Sequence, residues 1–220
     1  MSLWEDFLEK DDELKDTEKR TLTEVAVCYK EDISFLMKVY EAFVENDRFV
    51  QDEENDVRYE REKDLYILSL EGQEVCLRKE KFRKILISML DILEDTLPLG
   101  TVVDLKKDIY KSVPEMEKVD NIRMVITHRF LKRAGSTYYY PYAGVVYPTG
   151  MLGYQEIFHF TRPVVDKIVQ QGYRDEQEEV FSYLMKKELI VDEGGNTVGF
   201  ATKEEVEEIN KTFKEAKVNG

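Results

Sequence analysis

The chain has 220 residues, of which 42% are hydrophobic and 35% are charged, and its formal net charge is −14. Such an excess of acidic residues argues against a general nucleic-acid binder, because phosphates are neutralised by basic surface. No apolar run approaches the ~18 residues that span a bilayer, and no secretory signal is visible, so we expect a cytoplasmic protein that does not insert into membranes.

Residues 1–96 are predicted to form one acidic α+β domain. A short amphipathic turn over residues 4–8 opens it. We expect this terminus to fray, and the alternative is an arm that docks on a partner or on the body of the protein itself. Residues 23–29 alternate with a period of two, which predicts a strand. Apolar residues at helical spacing over 33–44 predict a helix, with Asp32 as its N-cap.

The rest of this domain reads as a hairpin and a second helix. Residues 51–64 are almost entirely charged, which predicts a solvated loop or an edge strand. Strands over 65–70 and 75–77 flank Gly72 and predict a hairpin, and a periodic helix over 82–93 completes the order β-α-β-β-α. Because a residue before proline avoids the helical region, we place the domain border at residue 96, just before Leu97-Pro98.

Residues 97–220 are predicted to form a second α+β domain. Its short strands and Gly/Pro turns indicate a small, strongly bent antiparallel sheet or a partial barrel with helices packed on it. The predicted strands cover 102–105, 122–127, 143–147 and 156–160, and the predicted loops cover 106–121 and 131–141.

Helices and a hairpin are predicted from Pro163 onward. A helix begins at Pro163 and stops at Gly172, and the next opens at Asp175 with Glu178 as its capping-box partner. Its apolar stripe is expected at Val180, Phe181 and Leu184. A hairpin is expected over 189–200, and a last helix opens with the capping box formed by Thr202 and Glu205.

The residues that usually carry chemistry are sparse. Cys28 and Cys76 lie far apart and match no metal or redox spacing, so we expect buried free thiols. The two histidines, His128 and His159, lack a metal-binding pattern and are expected to be structural. No nucleophile elbow and no phosphate-binding loop is present. The sequence therefore predicts no catalytic residue, no metal site and no cofactor.

Tyrosine is concentrated in the second domain, where six of the 13 tyrosines lie between residues 138 and 154. Some of these rings can fill a core, but three consecutive residues cannot all point inward in extended backbone. Exposed tyrosine is a good binding group because it combines a large ring with a hydroxyl. The candidate partner-binding residues are Tyr138, Tyr139, Tyr140, Tyr142, Tyr147 and Tyr154. Arg129, Lys132 and Arg133 are a candidate basic rim for an acidic partner, which includes the acidic flanks of the chain itself.

The charge is distributed unevenly around this cluster. Residues 1–96 carry a net charge of −12, residues 97–175 carry +3, and residues 176–220 carry −5. A weakly basic, tyrosine-rich segment therefore lies between acidic flanks, which affects the choice of partner and not the fold.

A series of short motifs runs through residues 97–185. It reads Leu-Pro-Leu-Gly-Thr-Val-Val at 97–103, Tyr-Ala-Gly-Val-Val-Tyr-Pro-Thr-Gly at 142–150, Phe-x-Phe at 158–160 and Gly-Tyr-x-Asp at 172–175. This series resembles a small domain family of Gram-positive bacteria, long catalogued as uncharacterised, whose members tend to lie in type VII secretion loci beside LXG-type polymorphic toxins. The positions that match as backbone-shaping or aromatic residues are Pro98, Gly100, Gly144, Pro148, Gly150, Gly172 and Tyr173.

The resemblance implies a cytoplasmic accessory role in toxin export and brings no catalytic residues. We therefore expect a non-catalytic, protein-binding chaperone or adaptor that holds the secreted toxin or its targeting region. An immunity protein that neutralises the toxin, or an enzyme with an unrecognised site, are the alternatives. The segment 106–121 is longer than the connection usual in that family, and its geometry is left open.

Overall fold

The computed structural model describes residues 2–107, 121–133, 135–151 and 157–207. The described chain combines helices with a four-stranded and a six-stranded sheet, neither of them closed into a barrel, so the predicted α+β class is confirmed. It divides into two compact units. Unit one comprises residues 1–95 and 186–193, and unit two comprises residues 96–185 and 194–220.

Unit one opens with three helices, α1 (Ser2–Glu9), α2 (Asp16–Cys28) and α3 (Ser34–Glu45). The ring of Trp4 in α1 is fully buried, and its Nε1 donates to the carbonyl oxygen of Leu22 at 3.3 Å. The N-terminal helix is therefore packed, and the expectation of a frayed terminus was wrong.

The helix α2 replaces the strand predicted over 23–29. Leu22, Val25, Ala26 and Tyr29 are buried, which is helical spacing, whereas Val27 is exposed. The window that began at residue 23 left out Leu22, and its alternating valines then imitated a strand.

The helix α3 confirms the predicted helix, but with a rotated apolar face. The side chains of Phe35, Leu36, Val39 and Phe43 are buried, while Val44 is exposed. The N-cap position falls on Ile33, so Asp32 is not the N-cap. The carboxylate of Asp32 still accepts from the backbone N–H of Ser34 at 2.9 Å, which supports the first turn from outside.

The four-stranded sheet follows, in the order β1-β2-β3-β4 with every neighbour antiparallel. Glu71 and Gly72 join β3 to β4 with φ angles of 49° and 78°, as a tight hairpin with two left-handed residues requires, so the predicted hairpin is confirmed. The bounds are β1 (Phe49–Asp52), β2 (Val57–Glu62), β3 (Leu65–Leu70) and β4 (Gln73–Arg78).

Residues 51–64, predicted as a solvated loop or an edge strand, contribute an interior strand of this sheet. Strand β2 lies between β1 and β3, and its residues Val57 and Tyr59 are fully buried. Arg58 and Glu60 alternate with these two residues, so the apolar face was hidden in a window dominated by charge.

Helix α4 (Lys79–Leu93) confirms the second predicted helix and closes the core of unit one. Its Phe82 ring lies 5.5–5.7 Å from the rings of Phe43, Tyr59 and Tyr66. This aromatic cluster joins α3 and α4 to the sheet. The observed order of the first 95 residues is thus α-α-α-β-β-β-β-α, not the predicted β-α-β-β-α.

The six-stranded sheet of unit two has the order β10-β7-β6-β5-β9, with β8 paired to β7. All pairs are antiparallel except β10 with β7. Its core contains Leu97, Val103, Met124, Ile126, Tyr142, Phe160 and Val165. The bounds are β5 (Val102–Leu105), β6 (Ile122–Lys132), β7 (Tyr138–Val146), β8 (Phe158–Phe160), β9 (Val165–Gln170) and β10 (Asn196–Thr197).

Strands β6 and β7 extend through most of the predicted loop over 131–141, because Leu131 pairs with Tyr140 and Lys132 with Tyr139. The loop predicted over 106–121 lies mostly outside the described residues, as does Glu156, the predicted start of β8.

The helix predicted from Pro163 is instead a single 3-10 turn, Arg162–Val164, followed by strand β9. The β-branched residues of β9 suit a strand, and β9 pairs with β5 at the edge of the sheet. Gly172 therefore ends no helix.

Helix α5 (Glu176–Lys186) begins where the capping pattern placed it, since the N–H of Glu178 donates to the carboxylate of Asp175 at 3.0 Å. A π-helical segment, Lys187–Asp192, continues it, so the hairpin predicted over 189–200 was wrong. Thr202 and Glu205 form both bonds of the predicted capping box, at 2.6 and 3.2 Å.

Candidate functional site

The Leu97–Thr101 loop is held by one buried hydroxyl. Thr101 is fully buried; its Oγ donates to the carbonyl of Pro98 at 2.7 Å and accepts from the N–H of Gly172 at 3.0 Å. Gly100 has a φ of 79° and donates to the carbonyl of Ile126 at 2.8 Å. The first and last motifs of the predicted series therefore meet at Thr101.

Two motif glycines are required by close backbone approach. A Cβ on Gly172 would lie 2.1 Å from the carbonyl oxygen of Leu99, and a Cβ on Gly144 would lie 2.2 Å from that of Val125. No side chain fits at either distance, so both positions are fixed by packing of one strand or loop against another.

A buried ion pair joins β6 to α5. The guanidinium of Arg129 donates to both carboxylate oxygens of Glu178, with Nη2 at 2.9 Å from Oε2. The side chains are 3% and 15% exposed. Ser182, one turn further along α5, lies 3.4 Å from the same guanidinium. The charges are thus neutralised in place, as burial requires.

The backbone of Phe130 explains why Arg129 reaches α5. Phe130 has a φ of 53°, which is rare for a large side chain, and it lies in β6 between the register pairs Arg129–Tyr142 and Leu131–Tyr140. Consecutive residues of a regular strand point to opposite faces. Here both approach Phe181 of α5, the guanidinium at 5.4 Å from its ring and the Phe130 ring at 6.0 Å.

The ion pair places the polar side of helix α5 against Arg129 of strand β6. Glu178 and Ser182 face Arg129, and Phe181 of the predicted apolar stripe contacts Arg129 and Phe130. The other two stripe residues are exposed, Val180 by 52% and Leu184 by 55%. Tyr183, 37% exposed, shares that side of the helix. We call Val180, Tyr183 and Leu184 the α5 outer face. An apolar face turned outward is typical of an interaction site.

Exposed apolar side chains are concentrated in unit two. Of the large apolar residues exposed in the described ranges, 11 lie in unit two and 4 in unit one. Tyr173, immediately before α5, is 79% exposed. Single exposed apolar residues are ordinary on a protein surface, so it is this concentration that marks unit two.

The candidate tyrosines divide between core and surface. Tyr139 and Tyr142 are buried, and the Tyr142 hydroxyl accepts from the N–H of Leu97 at 3.1 Å. Tyr138 and Tyr140 are half-buried, and Tyr147 is exposed. Tyr154 lies outside the described residues.

The candidate basic rim is not one exposed surface. The side chain of Arg129 is occupied by Glu178 and is nearly inaccessible, so it cannot serve an external acidic partner. Lys132 and Arg133 are half-buried at the end of β6.

The remaining motif residues shape a turn. Tyr147 and Pro148 are joined by a cis peptide bond, and the N–H of Gly150, at a φ of 65°, donates to the carbonyl of Val146 at 2.8 Å. These residues close the turn that follows β7.

The histidines lie at the surface. His128 and His159 are both exposed and lie opposite Ala143, one on β6 and the other on β8, so two strand spacings, about 10 Å, separate their backbones. His128 Nδ1 lies 2.9 Å from the Thr127 hydroxyl, and the His159 ring lies 5.1 Å from that of Tyr140. Within the described ranges, no three His, Cys, Asp or Glu residues cluster as a metal site would require.

Both cysteines are exposed, Cys28 at the end of α2 and Cys76 on β4, so the expectation of buried thiols was wrong. Burial of part of each residue still raises the pKa of both thiols, which does not favour the reactive thiolate.

Three contacts of this region were not anticipated from the sequence. They are the Thr101 hydroxyl between Pro98 and Gly172, the pairing of Arg129 with Glu178, and the bond from Arg174 Nη2 to the carbonyl of Thr96 at 2.6 Å. Glu178 was assigned to the capping box because the local spacing fits; its actual partner is 49 residues away.

No helix among the described residues is long and apolar enough to cross a membrane. Comparison with curated proteins and with solved structures finds no significant match. Residues 96–181 match a family model described as a domain of unknown function, DUF4176. The match confirms that this segment resembles an uncharacterised domain family, and it spans the Leu97–Thr101 loop, β5 to β9 and the part of α5 that pairs with Arg129.

Proposed function

We propose that this protein is a non-catalytic, cytoplasmic accessory factor of type VII secretion, a chaperone or adaptor that binds an LXG-type toxin before export. The observation that carries the proposal is the apolar surface of unit two, where the α5 outer face is exposed. A surface of this kind is stabilised by a protein partner.

The motif residues support this proposal as a scaffold. Thr101, Gly144 and Gly172 fix the backbone, and the Arg129–Glu178 pair fixes the orientation of α5. A rigid scaffold that presents an apolar face lowers the entropic cost of binding.

Co-expression with the toxin encoded beside the gene tests the proposal. We expect the toxin to co-purify through its N-terminal targeting region, in a complex stable to gel filtration. A complex formed only with the toxic C-terminal domain, together with rescue of growth, would indicate an immunity protein instead. Failure to co-purify with any toxin of the locus would contradict the proposed role.

A further inference from the structure

We propose that the α5 outer face is a helix-docking site whose occupant is an amphipathic helix flanked by lysine or arginine. The inference deepens the proposed function, because it names the surface and the partner chemistry. A synthetic peptide tests it without reference to the identity of the toxin.

The spacing of the face fits a helix. Val180, Tyr183 and Leu184 stand at i, i+3 and i+4 on α5, and this pattern supplies the side chains over which a second helix packs. The side of α5 that faces strand β6 is occupied by the bonds of Glu178 and Ser182 to Arg129. On the apolar side, Val180 and Leu184 are more than half exposed.

The charges select the partner. Glu176 precedes Val180 by one turn, Glu179 precedes Tyr183 by one turn, and both glutamates are exposed, so carboxylates border the N-terminal end of the face. A partner helix with basic residues beside its apolar stripe would complement them.

The same charges disfavour a second copy of this chain. Antiparallel pairing of two α5 helices needs exposed bases at the C-terminal end. Lys186, however, is buried and donates to the carbonyls of Ile92 and Glu94, and Lys187 lies beside Asp6 and Asp192. The net charge of −14 adds general repulsion between copies.

The test compares two valine substitutions in the 220-residue chain. Val180→Glu alters the α5 outer face, and Val44→Glu is its matched control, because Val44 is also helical and is 55% exposed in unit one. Both variants add one negative charge, so general attraction of a basic probe is equal. Circular dichroism and thermal melting check that both remain folded.

The probe is a synthetic peptide of leucine and lysine patterned as an amphipathic helix, and its counterpart carries glutamate in place of lysine. We expect Val180→Glu to weaken binding of the lysine peptide by about tenfold or more relative to Val44→Glu. Glu179→Lys should weaken it by roughly twofold to fivefold. Equal affinity of the two valine variants, or tighter binding of the glutamate peptide, overturns the inference.

The two proposals fail in different ways. If the lysine peptide binds the α5 outer face but no toxin co-purifies, the proposed function is wrong and the docking site stands. If the toxin co-purifies equally with Val180→Glu and Val44→Glu, and the peptide does not distinguish them, the docking site is wrong and the proposed function stands.

Discussion

Arg129 on β6 and Glu178 on α5 form a bidentate ion pair that is almost completely shielded from water. The pair ties the strand that carries the strained Phe130 to the helix that carries the α5 outer face. An ion pair in such surroundings is costly to break from one side only, because the remaining charge stays buried.

Arg129→Met should therefore lower the free energy of unfolding by about 3–5 kcal/mol, since the Glu178 carboxylate is left without its cation. Urea denaturation measures the change. The double variant Arg129→Met/Glu178→Met, which removes both charges, should lose less than the single variant. An equal or greater loss in the double variant would mean that the pair contributes through packing and not through charge.

Gly172→Ala should destabilise the protein by about 1–3 kcal/mol, because the added Cβ would overlap the carbonyl oxygen of Leu99. Thermal unfolding measures the loss. Gly199→Ala is the control, since its Cβ would lie 3.3 Å from atoms of the Thr161 side chain, and it should cost distinctly less. Similar losses at both glycines would contradict the close approach at Gly172.

Tyr59→Phe should stabilise the protein by about 1 kcal/mol, because the buried Tyr59 hydroxyl finds no hydrogen-bond partner among the described residues. Burial also raises the pKa of Tyr59 from 10.0 to about 12. Between these values the folded state holds a proton that the unfolded state loses, so stability falls as pH rises.

Urea denaturation across this alkaline range measures the effect, and Tyr59→Phe should flatten the fall in stability. Tyr147→Phe alters an exposed ring and is the control. It should change neither the free energy of unfolding nor the rate at which that free energy falls with pH. A destabilised Tyr59→Phe variant would show that its hydroxyl has a partner, such as a bound water.

Asp104→Asn should lower stability at neutral pH by about 0.5–1.5 kcal/mol. Asp104 on β5 accepts two hydrogen bonds from Arg123, its register partner on β6, and the half-exposed guanidinium limits the gain. The same bonds hold the pKa of Asp104 below its usual 3.8. The contribution is therefore complete above pH 3.8 and is lost as pH falls further.

Acid unfolding followed by circular dichroism checks this prediction. The variant should lose less stability than the wild type as pH falls below 3.8. Asp166→Asn, at an exposed position on β9, serves as the control and should leave the acid transition where it is. Parallel acid transitions of the wild type and Asp104→Asn would contradict the linkage.

Local pattern predicted the elements whose signal is local. The helices α3 and α4 and the turn at Gly72 were identified because a periodic stripe or a left-handed residue suffices to define each. The strand predicted over 23–29 is a helix, and the helix predicted from Pro163 is mostly a strand. In such short windows rich in valine, tertiary packing decides the type of element.

The candidate site depended on contacts distant in sequence. Arg129 was identified as a residue of interest, but as a basic rim, because its partner Glu178 is 49 residues away. The spacing of Val180 and Leu184 predicts an apolar stripe, but nothing in that local spacing reveals that Glu178 turns the other side of α5 toward Arg129. Long-range ion pairs leave no periodic signal.

Each unit is built from two separate segments of the chain, which has a consequence for synthesis on the ribosome. Unit one needs residues 186–193, and the sheet of unit two gains its last strand, β10, only at Asn196 and Thr197. Unit one therefore cannot finish folding before residue 193 has emerged, nor the sheet of unit two before residue 197. A fragment that ends at residue 181, where the DUF4176 match ends, would lack β10. The edge of β7 at Tyr138 and Tyr139 would then be unpaired, and unpaired strand edges favour aggregation.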